Sequence, residues 1–126
     1  MCGIFGIIDL KGRRSVPLSV LKRSADAMQH RGPDEDGYLQ RPGVGFASRR
    51  LSIVGLADGQ QPMFNEDKSV SVIFNGEIYD HDDWRRDLTA RGHTLKTHCD
   101  TEILPHMWEA HGEDMFEKLN GQFAVA

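Results

Sequence analysis

The spacing of apolar residues changes along the first half of the chain and predicts three elements. The apolar run from Gly3 to Ile8 ends at Asp9 and is typical of a short buried strand. After Pro17, apolar side chains recur every three or four residues, which predicts a helix with Pro17 as its first residue. Val44 to Leu51 again has the pattern of a strand.

The second half of the chain repeats this alternation of strands and helices. A strand is predicted from Val70 to Phe74, and it is expected to stop at Asn75-Gly76, a dipeptide that favours tight turns. Helical spacing from Asp80 to Arg91 predicts a second helix, with Gly92 as its stop signal. The acidic run Asp100-Thr101-Glu102 is expected to cap a third helix.

Polar stretches rich in turn residues separate these elements. The stretch HRGPDEDG, residues 30 to 37, is predicted to be a loop, and so are residues 55 to 69. The last run, Gly121 to Ala126, is strand-like. The order is therefore strand, helix, strands, helix, helix, strand, which predicts an α+β fold.

Composition excludes several classes of partner. The chain has 126 residues and a net charge of −4, and no basic cluster indicates a nucleic-acid groove. No apolar run approaches the roughly 18 residues that a membrane span needs, and the N-terminus lacks the basic region of a signal peptide. We therefore expect a cytoplasmic domain with no nucleic-acid or membrane partner.

The metal-ligating residue types show no recognised spacing. Cys2 and Cys99 are far apart and form no CxxC pair, so free thiols are expected. The six histidines, which include His98, His106 and His111, form no HExxH or paired Cys/His motif. We therefore expect no metal site.

Cys2 has two interpretations. It is either a small buried hydrophobe in an N-terminal strand or a nucleophile whose base is its own α-amino group after removal of Met1. An α-amino group has a pKa of about 7.7–8.0, so part of it is neutral near pH 7 and can accept the thiol proton.

Other side chains would complete such a site. Asn75 and Gly76 offer two donors for an oxyanion, Arg50 can bind an α-carboxylate, and Glu77 and Asp100 can bind an α-ammonium group. Singly, each residue also fits a turn, a surface charge or a helix cap. Together they suit a free amino acid whose side chain is an amide.

Two neighbouring arginines are candidates for binding the α-carboxylate. Arg49 and Arg50 are neighbours in a predicted strand, so their side chains point to opposite faces and only one can face a pocket.

Five collinear stretches carry a family resemblance: MCGIFGI, MQHRGPDEDG, RRLSIVGLADGQQPM, FNGEIYDH and CDTE. They resemble the N-terminal glutaminase domain of the asparagine synthetases, a branch of the class II (N-terminal nucleophile) glutamine amidotransferases. The resemblance implies a four-layer αββα sandwich of mainly antiparallel sheets. It also implies attack on glutamine, a γ-glutamyl thioester, and passage of ammonia through a tunnel to a synthetase domain.

The resemblance also assigns roles to individual positions. Cys2, Asn75 and Gly76 match the catalytic residues. Positions that match the glutamine-binding residues are Arg50, Ile53, Val54, Glu77 and Asp100. Cys99 stands where the family often has a small hydroxyl residue, and we expect a buried, inert thiol there.

The chain stops at Ala126, in the middle of a predicted strand. We therefore expect residues 1–126 to be a partial amidotransferase domain without the synthetase domain, unstable alone or paired with a second copy. No cofactor is expected in this domain, because the resemblance places ATP and Mg²⁺ only in the synthetase domain.

Two alternatives remain open from the sequence. One is a catalytically silent fragment that binds glutamine or assembles with a partner. The other is an amidotransferase whose acceptor is not aspartate, such as a polysaccharide precursor.

Overall fold

A computed structural model describes residues 2–52 and 58–126 of the chain. Met1, Ile53 and Val54 lie outside the described residues, so the expectations for them have no structural counterpart here. The described strands are β1 (Gly3–Ile8), β2 (Glu35–Arg41), β3 (Val44–Arg50), β4 (Met63–Phe64), β5 (Ser71–Val72), β6 (Phe74–Ile78) and β7 (Gly121–Val125). The described α-helices are α1 (Leu18–Ala27), α2 (His81–Ala90), α3 (Ile103–His111) and α4 (Met115–Lys118).

The first half of the chain forms an antiparallel sheet in the order β1-β3-β2, with α1 packed on it. Leu21 and Ala25 of α1 are fully buried in one small core with Ala47 of β3. Strand alternation sends neighbouring side chains of β3 to opposite faces. Arg49 lies on the α1 side, where its Nε donates to the carbonyl of Ala25 at 3.2 Å, and Arg50 lies on the other side.

The second half of the chain forms the larger core. β6 pairs with β7 in antiparallel register, and the short strands β4 and β5 pair with each other. α2 and α3 pack together beside them. The apolar side chains of this core that are buried most completely are Phe74, Ile78, Leu88, Ile103, Leu104 and Met107.

The α+β class and the antiparallel pairing are confirmed, and the open sheets fit part of an αββα sandwich. Gly92 directly follows the C-cap of α2 with a φ of 98°, as its predicted role as a stop requires. No described helix has the length and apolar character that spanning a bilayer requires.

Three predicted boundaries in the first half and the middle of the chain are wrong. Pro17 is the N-cap of α1 rather than its first helical residue, because its ψ of 136° is extended. β2 begins at Glu35, inside the predicted loop, because pairing with β3 extends the strand into this turn-rich stretch. The predicted strand from Val70 to Phe74 is split between β5 and β6.

The expected turn at Asn75-Gly76 is also wrong. β6 continues through both residues, because β7 pairs with it along its whole length from Phe74 to Ile78. A Cβ on Gly76 would overlap the carbonyl oxygen of Gln122, so the glycine permits the close approach of β7.

The expected helix cap at Asp100-Thr101-Glu102 is replaced by a 3₁₀ turn that leads into α3. None of these residues makes a side-chain cap within the described part of the chain. The Asp100 carboxylate instead accepts a hydrogen bond from the backbone N–H of Ile78 at 3.1 Å. This long-range contact joins the start of α3 to β6.

Candidate active site

A single cavity of about 420 Å³ brings together every predicted site residue that the structure describes. Its volume falls in the range of about 300–1,000 Å³ that small-molecule sites occupy. The predicted residues that line it are Cys2, Arg50, Asn75, Gly76, Glu77 and Asp100. They come from the start of β1, from β3, from β6 and from the turn before α3, so four separated segments converge on one space.

Cys2 is held at the edge of this cavity by contacts on both its backbone and its sulfur. The Arg31 Nε donates to the Cys2 carbonyl at 3.0 Å. The backbone N–H of Leu51 lies 3.4 Å from Sγ and donates to it, while the Leu51 carbonyl lies 3.8 Å from the same sulfur. These contacts fix the position of a thiol that stands one residue before β1.

The HRGPD stretch positions the end of β3, a role that sequence reasoning did not assign. Asp34 donates its backbone N–H to the Arg50 carbonyl at 3.1 Å and accepts from the Ser52 N–H at 2.8 Å. Gly32 lies so close to the backbone of Arg49 and Arg50 that a Cβ would overlap it. The motif and the strand β3 were both visible in the sequence, but the contact between them was not.

Arg50 presents a buried guanidinium at the cavity. Its side chain is 6% exposed, and Nη1 donates to Oε2 of Glu35 at 2.8 Å. A guanidinium presents five N–H donors in a planar fork, a geometry that matches a carboxylate. Glu35 is a partner that the sequence analysis missed, since it lay in a predicted loop.

The hydrogen-bond alternation of β6 and β7 determines which backbone groups face the cavity. Ile73 and Ala126 exchange both of their N–H···O bonds, at 2.9 and 3.1 Å. In an antiparallel pair such bonded pairs alternate with unbonded ones, so Asn75 and Glu77 direct their backbone groups toward β7. Gly76 accordingly directs its N–H toward the opposite edge of β6.

That opposite edge is ordered by two side chains that also line the cavity. Gln61 Oε1 accepts from the Phe74 N–H at 2.7 Å, and Gln61 Nε2 donates to the Phe74 carbonyl at 2.9 Å. Asp100 accepts the Ile78 N–H farther along the same edge. The Gly76 N–H therefore lies between two fixed points on the cavity side.

Asp100 is buried beside two small polar side chains. The Cys99 Sγ lies 3.5 Å from its Oδ1, and the Thr101 Oγ1 lies 3.4 Å from the same oxygen. Burial raises the pKa of the Cys99 thiol, and the nearby Asp100 charge acts in the same direction. The structure confirms that Cys99 is buried, and its raised pKa keeps it as a neutral thiol.

The segment that leads to Asp100 is held by Glu102, for which the sequence predicted a helix cap, and by Arg85, which sequence reasoning missed. The buried carboxylate of Glu102 accepts the backbone N–H groups of Lys96 and Thr97 at 2.6 and 2.8 Å. Arg85 donates to the carbonyls of Thr97 and Cys99 at 2.6 and 2.9 Å. Only the CDTE stretch signalled this region, and it does not include Arg85.

Comparison with known proteins agrees with this geometry. A family model described as glutamine amidotransferase domain matches residues 1–126. An asparagine synthetase (glutamine-hydrolyzing) 2 of Bacillus subtilis is 43% identical over 128 residues, covering 100% of this chain and 17% of that protein. The asparagine synthetase (glutamine-hydrolyzing) of Asparagus officinalis is 39% identical, and the nodule enzyme of Pisum sativum is 40% identical, each covering 98% of this chain and 21% of the relative.

The matches cover very different shares of the proteins compared. The chain spans about a fifth of the length of the curated relatives it matches, while the family model covers the chain from end to end. A full-length family match, joined with a cavity that collects the six described motif residues, identifies this chain as a member of the glutamine amidotransferase domain family.

Proposed function

We propose that this chain hydrolyses the side-chain amide of glutamine and supplies the ammonia to an asparagine-synthetase-type amidation. The observation that carries the proposal is the convergence of Cys2, Arg50, Asn75, Gly76 and Asp100 on one cavity. These groups provide a nucleophile, two donors for an oxyanion, a cation for an α-carboxylate and an anion for an α-ammonium group.

The first chemical step uses Cys2 as an N-terminal nucleophile. Removal of Met1 exposes its α-amino group, which takes the thiol proton directly or through a water molecule. The sulfur then attacks the side-chain carbonyl carbon of glutamine and forms a C–S bond. The Leu51 N–H, 3.4 Å from Sγ, holds the sulfur in place for this attack.

The attack turns the carbonyl oxygen into an oxyanion. The amide group of Asn75 and the backbone N–H of Gly76 donate hydrogen bonds to it. When the intermediate collapses, the C–N bond breaks, the α-ammonium group returns a proton to the leaving nitrogen, and ammonia departs. A γ-glutamyl thioester on Cys2 remains, and water cleaves it to release glutamate and restore the thiol.

Substrate selection depends on the two charges of a free α-amino acid. Arg50, whose guanidinium lines the cavity, binds the α-carboxylate through its planar fork of N–H donors. Glu77 and Asp100 accept hydrogen bonds from the α-ammonium group. A peptide-bound amide lacks both charges at these positions, so the site favours free glutamine.

Ammonia then passes to a synthetase domain, which is the partner that this proposal requires. In the proposed scheme ATP and Mg²⁺ act there, in activating the acceptor, and aspartate is that acceptor. The names of the relatives, glutamine-hydrolyzing asparagine synthetases, support this assignment.

The test is glutamate release from glutamine by the full-length protein that carries this chain. Cys2→Ala should abolish release, while synthesis from added ammonium salt should continue, because the acceptor chemistry does not need the thiol. Release at the wild-type rate from the Cys2→Ala variant would overturn the proposal.

A second version isolates the role of the α-amino group. Inserting one lysine between Met1 and Cys2 keeps the thiol but converts its amine into a peptide N–H, which cannot accept a proton. We expect glutamate release to be lost in this version as well. Full turnover with the lysine present would be compatible with Cys2 as the nucleophile. It would contradict the role of the α-amino group as the base.

A further inference from the structure

Four titratable side chains form a second cluster, which the proposed reaction does not use. They are Glu66, His93, His106 and Glu109, and each offers one ligand atom within 4.8 Å of the others. Three segments contribute to the cluster: the connection between β4 and β5, the segment after α2, and helix α3. Their side chains include none of those that line the active-site cavity.

His106 is the buried centre of the cluster. Its side chain is 1% exposed, and its Nδ1 has no hydrogen-bond partner among the residues that the structure describes. That nitrogen lies near two carboxylates, with Oε2 of Glu66 at 3.4 Å and Oε2 of Glu109 at 3.6 Å. A buried, unpartnered polar atom of this kind requires a partner of another type.

The second histidine, His93, lies near the same two carboxylates. Nδ1 of His93 lies 3.6 Å from Oε2 of Glu109 and 4.0 Å from Oε1 of Glu66. The two imidazole rings meet edge to face, with centroids 5.2 Å apart. The Nδ1 atoms of both rings therefore lie within 4.0 Å of both carboxylates.

One oxygen of each carboxylate, Oε1 of Glu66 and Oε1 of Glu109, accepts a hydrogen bond from the protein. The Thr94 N–H donates to Oε1 of Glu66 at 2.8 Å, and Nδ2 of the buried Asn65 donates to Oε1 of Glu109 at 2.9 Å. Asn65 is itself fixed, since its Oδ1 accepts the Val70 N–H at 2.9 Å. Contacts of this kind hold the ligands of metal ions in position.

The distances suit a four-coordinate cation. Zinc binds imidazole nitrogen and carboxylate oxygen at about 2.0–2.2 Å, so neighbouring ligand atoms of a tetrahedron lie about 3.3–3.6 Å apart. Three of the four measured nitrogen–oxygen separations are 3.4, 3.6 and 3.6 Å. Two carboxylates also balance the charge of a divalent ion bound by two neutral imidazoles.

We propose that Glu66, His93, His106 and Glu109 bind a divalent transition-metal ion of the zinc class. The donor set of two nitrogens and two oxygens suits Zn²⁺ and its neighbours better than Mg²⁺ or Ca²⁺, which prefer oxygen alone. The ion ties the β4–β5 connection and the segment after α2 to helix α3. Its role is structural, and the partly exposed carboxylates give it a path from solvent.

The test measures Zn²⁺ binding by the full-length protein after chelation and dialysis. Metal content per chain and the melting temperature are followed as Zn²⁺ is added. The variant is the double substitution Glu66→Gln and Glu109→Gln, and its matched control is Glu113→Gln with Glu117→Gln, two exposed acids nearby. We expect wild type and control to bind one Zn²⁺ per chain more than the double variant, or to bind it at least about tenfold more tightly.

Melting gives a second readout that does not depend on activity. Zn²⁺ should raise the melting temperature of wild type and control and leave that of the double variant nearly unchanged. Equal Zn²⁺ content in all three proteins, or equal melting shifts, would overturn the proposal. The four side chains would then contact one another without a bound ion.

Two single histidine variants keep the proposal testable if the double variant does not fold. His93→Ala removes a ligand that is only partly buried, and His98→Ala removes an exposed histidine five residues away. Loss of one bound Zn²⁺ from His93→Ala alone supports the site. Identical Zn²⁺ binding by the two histidine variants contradicts it.

Discussion

The active-site cavity and the His–Glu cluster are assembled in opposite ways. Around the cavity, backbone groups contribute directly: the Leu51 N–H contacts Cys2 Sγ, and the Gly76 N–H lies on the cavity edge of β6. In the cluster, side chains from three segments contribute all four ligand atoms. A site built on strand edges depends on register, whereas a site built from side chains depends on how loops pack against α3.

The two sites therefore differ in how their side chains contribute to turnover and to stability. The cavity gathers groups suited to a reacting molecule, and its fixed points are remote contacts such as Asp34 to Ser52. The cluster instead joins its own segments. Substitutions in the cavity should therefore change turnover, and substitutions in the cluster should change stability.

After the loss of activity expected from Cys2→Ala, the largest effect is expected at Asn75, the proposed oxyanion donor. Asn75→Ala removes the side-chain amide that stabilises charge only in the transition state, so kcat for glutamate release should fall about 10²–10³-fold. KM should change little. Steady-state kinetics of the full-length protein measure both values.

Glu109→Gln is the control from the other region, because its side chain belongs to the cluster. It should leave kcat within about twofold of wild type. If Asn75→Ala lowered kcat less than about threefold, Asn75 would not be a donor in the oxyanion hole.

The next effect is on binding rather than turnover. Arg50→Lys keeps the charge but loses the planar fork, so KM for glutamine should rise about tenfold or more while kcat changes less. A γ-amide that lacks the α-carboxylate provides the comparison substrate.

For that substrate the Arg50→Lys variant should behave like wild type. An equal loss with both substrates would show that Arg50 acts through its ion pair with Glu35 to keep β3 and β2 in place, and not through the α-carboxylate.

In the cluster the expected effect is on folding. His106→Ala deletes a fully buried side chain, and we expect it to lower the free energy of unfolding by about 1–3 kcal/mol. KM for glutamine should remain unchanged. Urea unfolding followed by circular dichroism measures the first quantity, and His98→Ala, at an exposed position, should change it by less than about 0.5 kcal/mol.

A rise in KM for glutamine with His106→Ala would break the comparison between the two regions. It would mean that α3 transmits the change to Asp100, which stands only three residues before the helix begins.

Much of the fold could be predicted because most elements have a clear period. β1, α1 and α2 follow their apolar patterns, and α3 follows the acidic run Asp100-Thr101-Glu102 that predicted a third helix. β2 could not be predicted, since its first residues, Glu35 to Gly37, have turn-forming composition and become a strand only by pairing with β3. The strand through Asn75-Gly76 was missed for the same reason, because β7 lies more than forty residues away in the sequence.

The two sites also differ in how far they could be predicted from the local sequence. Each cavity residue belongs to a short motif whose chemistry is visible locally, and the family resemblance joined the motifs. In the cluster only His106 and Glu109 are close in sequence, at a spacing of three on one helix. Glu66 and His93 join them only through the packing of loops, which no spacing rule records.

The smallest expected effect compares the two cysteines. Burial raises the pKa of the Cys99 thiol, so at pH 8 a smaller share of it is the reactive thiolate in the folded protein than in the unfolded chain. In the Cys2→Ala variant, which leaves Cys99 as the single cysteine of this chain, iodoacetamide should label the folded protein at pH 8 several-fold more slowly than the same protein in urea. The difference should shrink as the pH rises past 9. Mass spectrometry of the Cys99 peptide gives both rates, and equal rates at pH 8 would mean that this wall of the cavity opens to solvent.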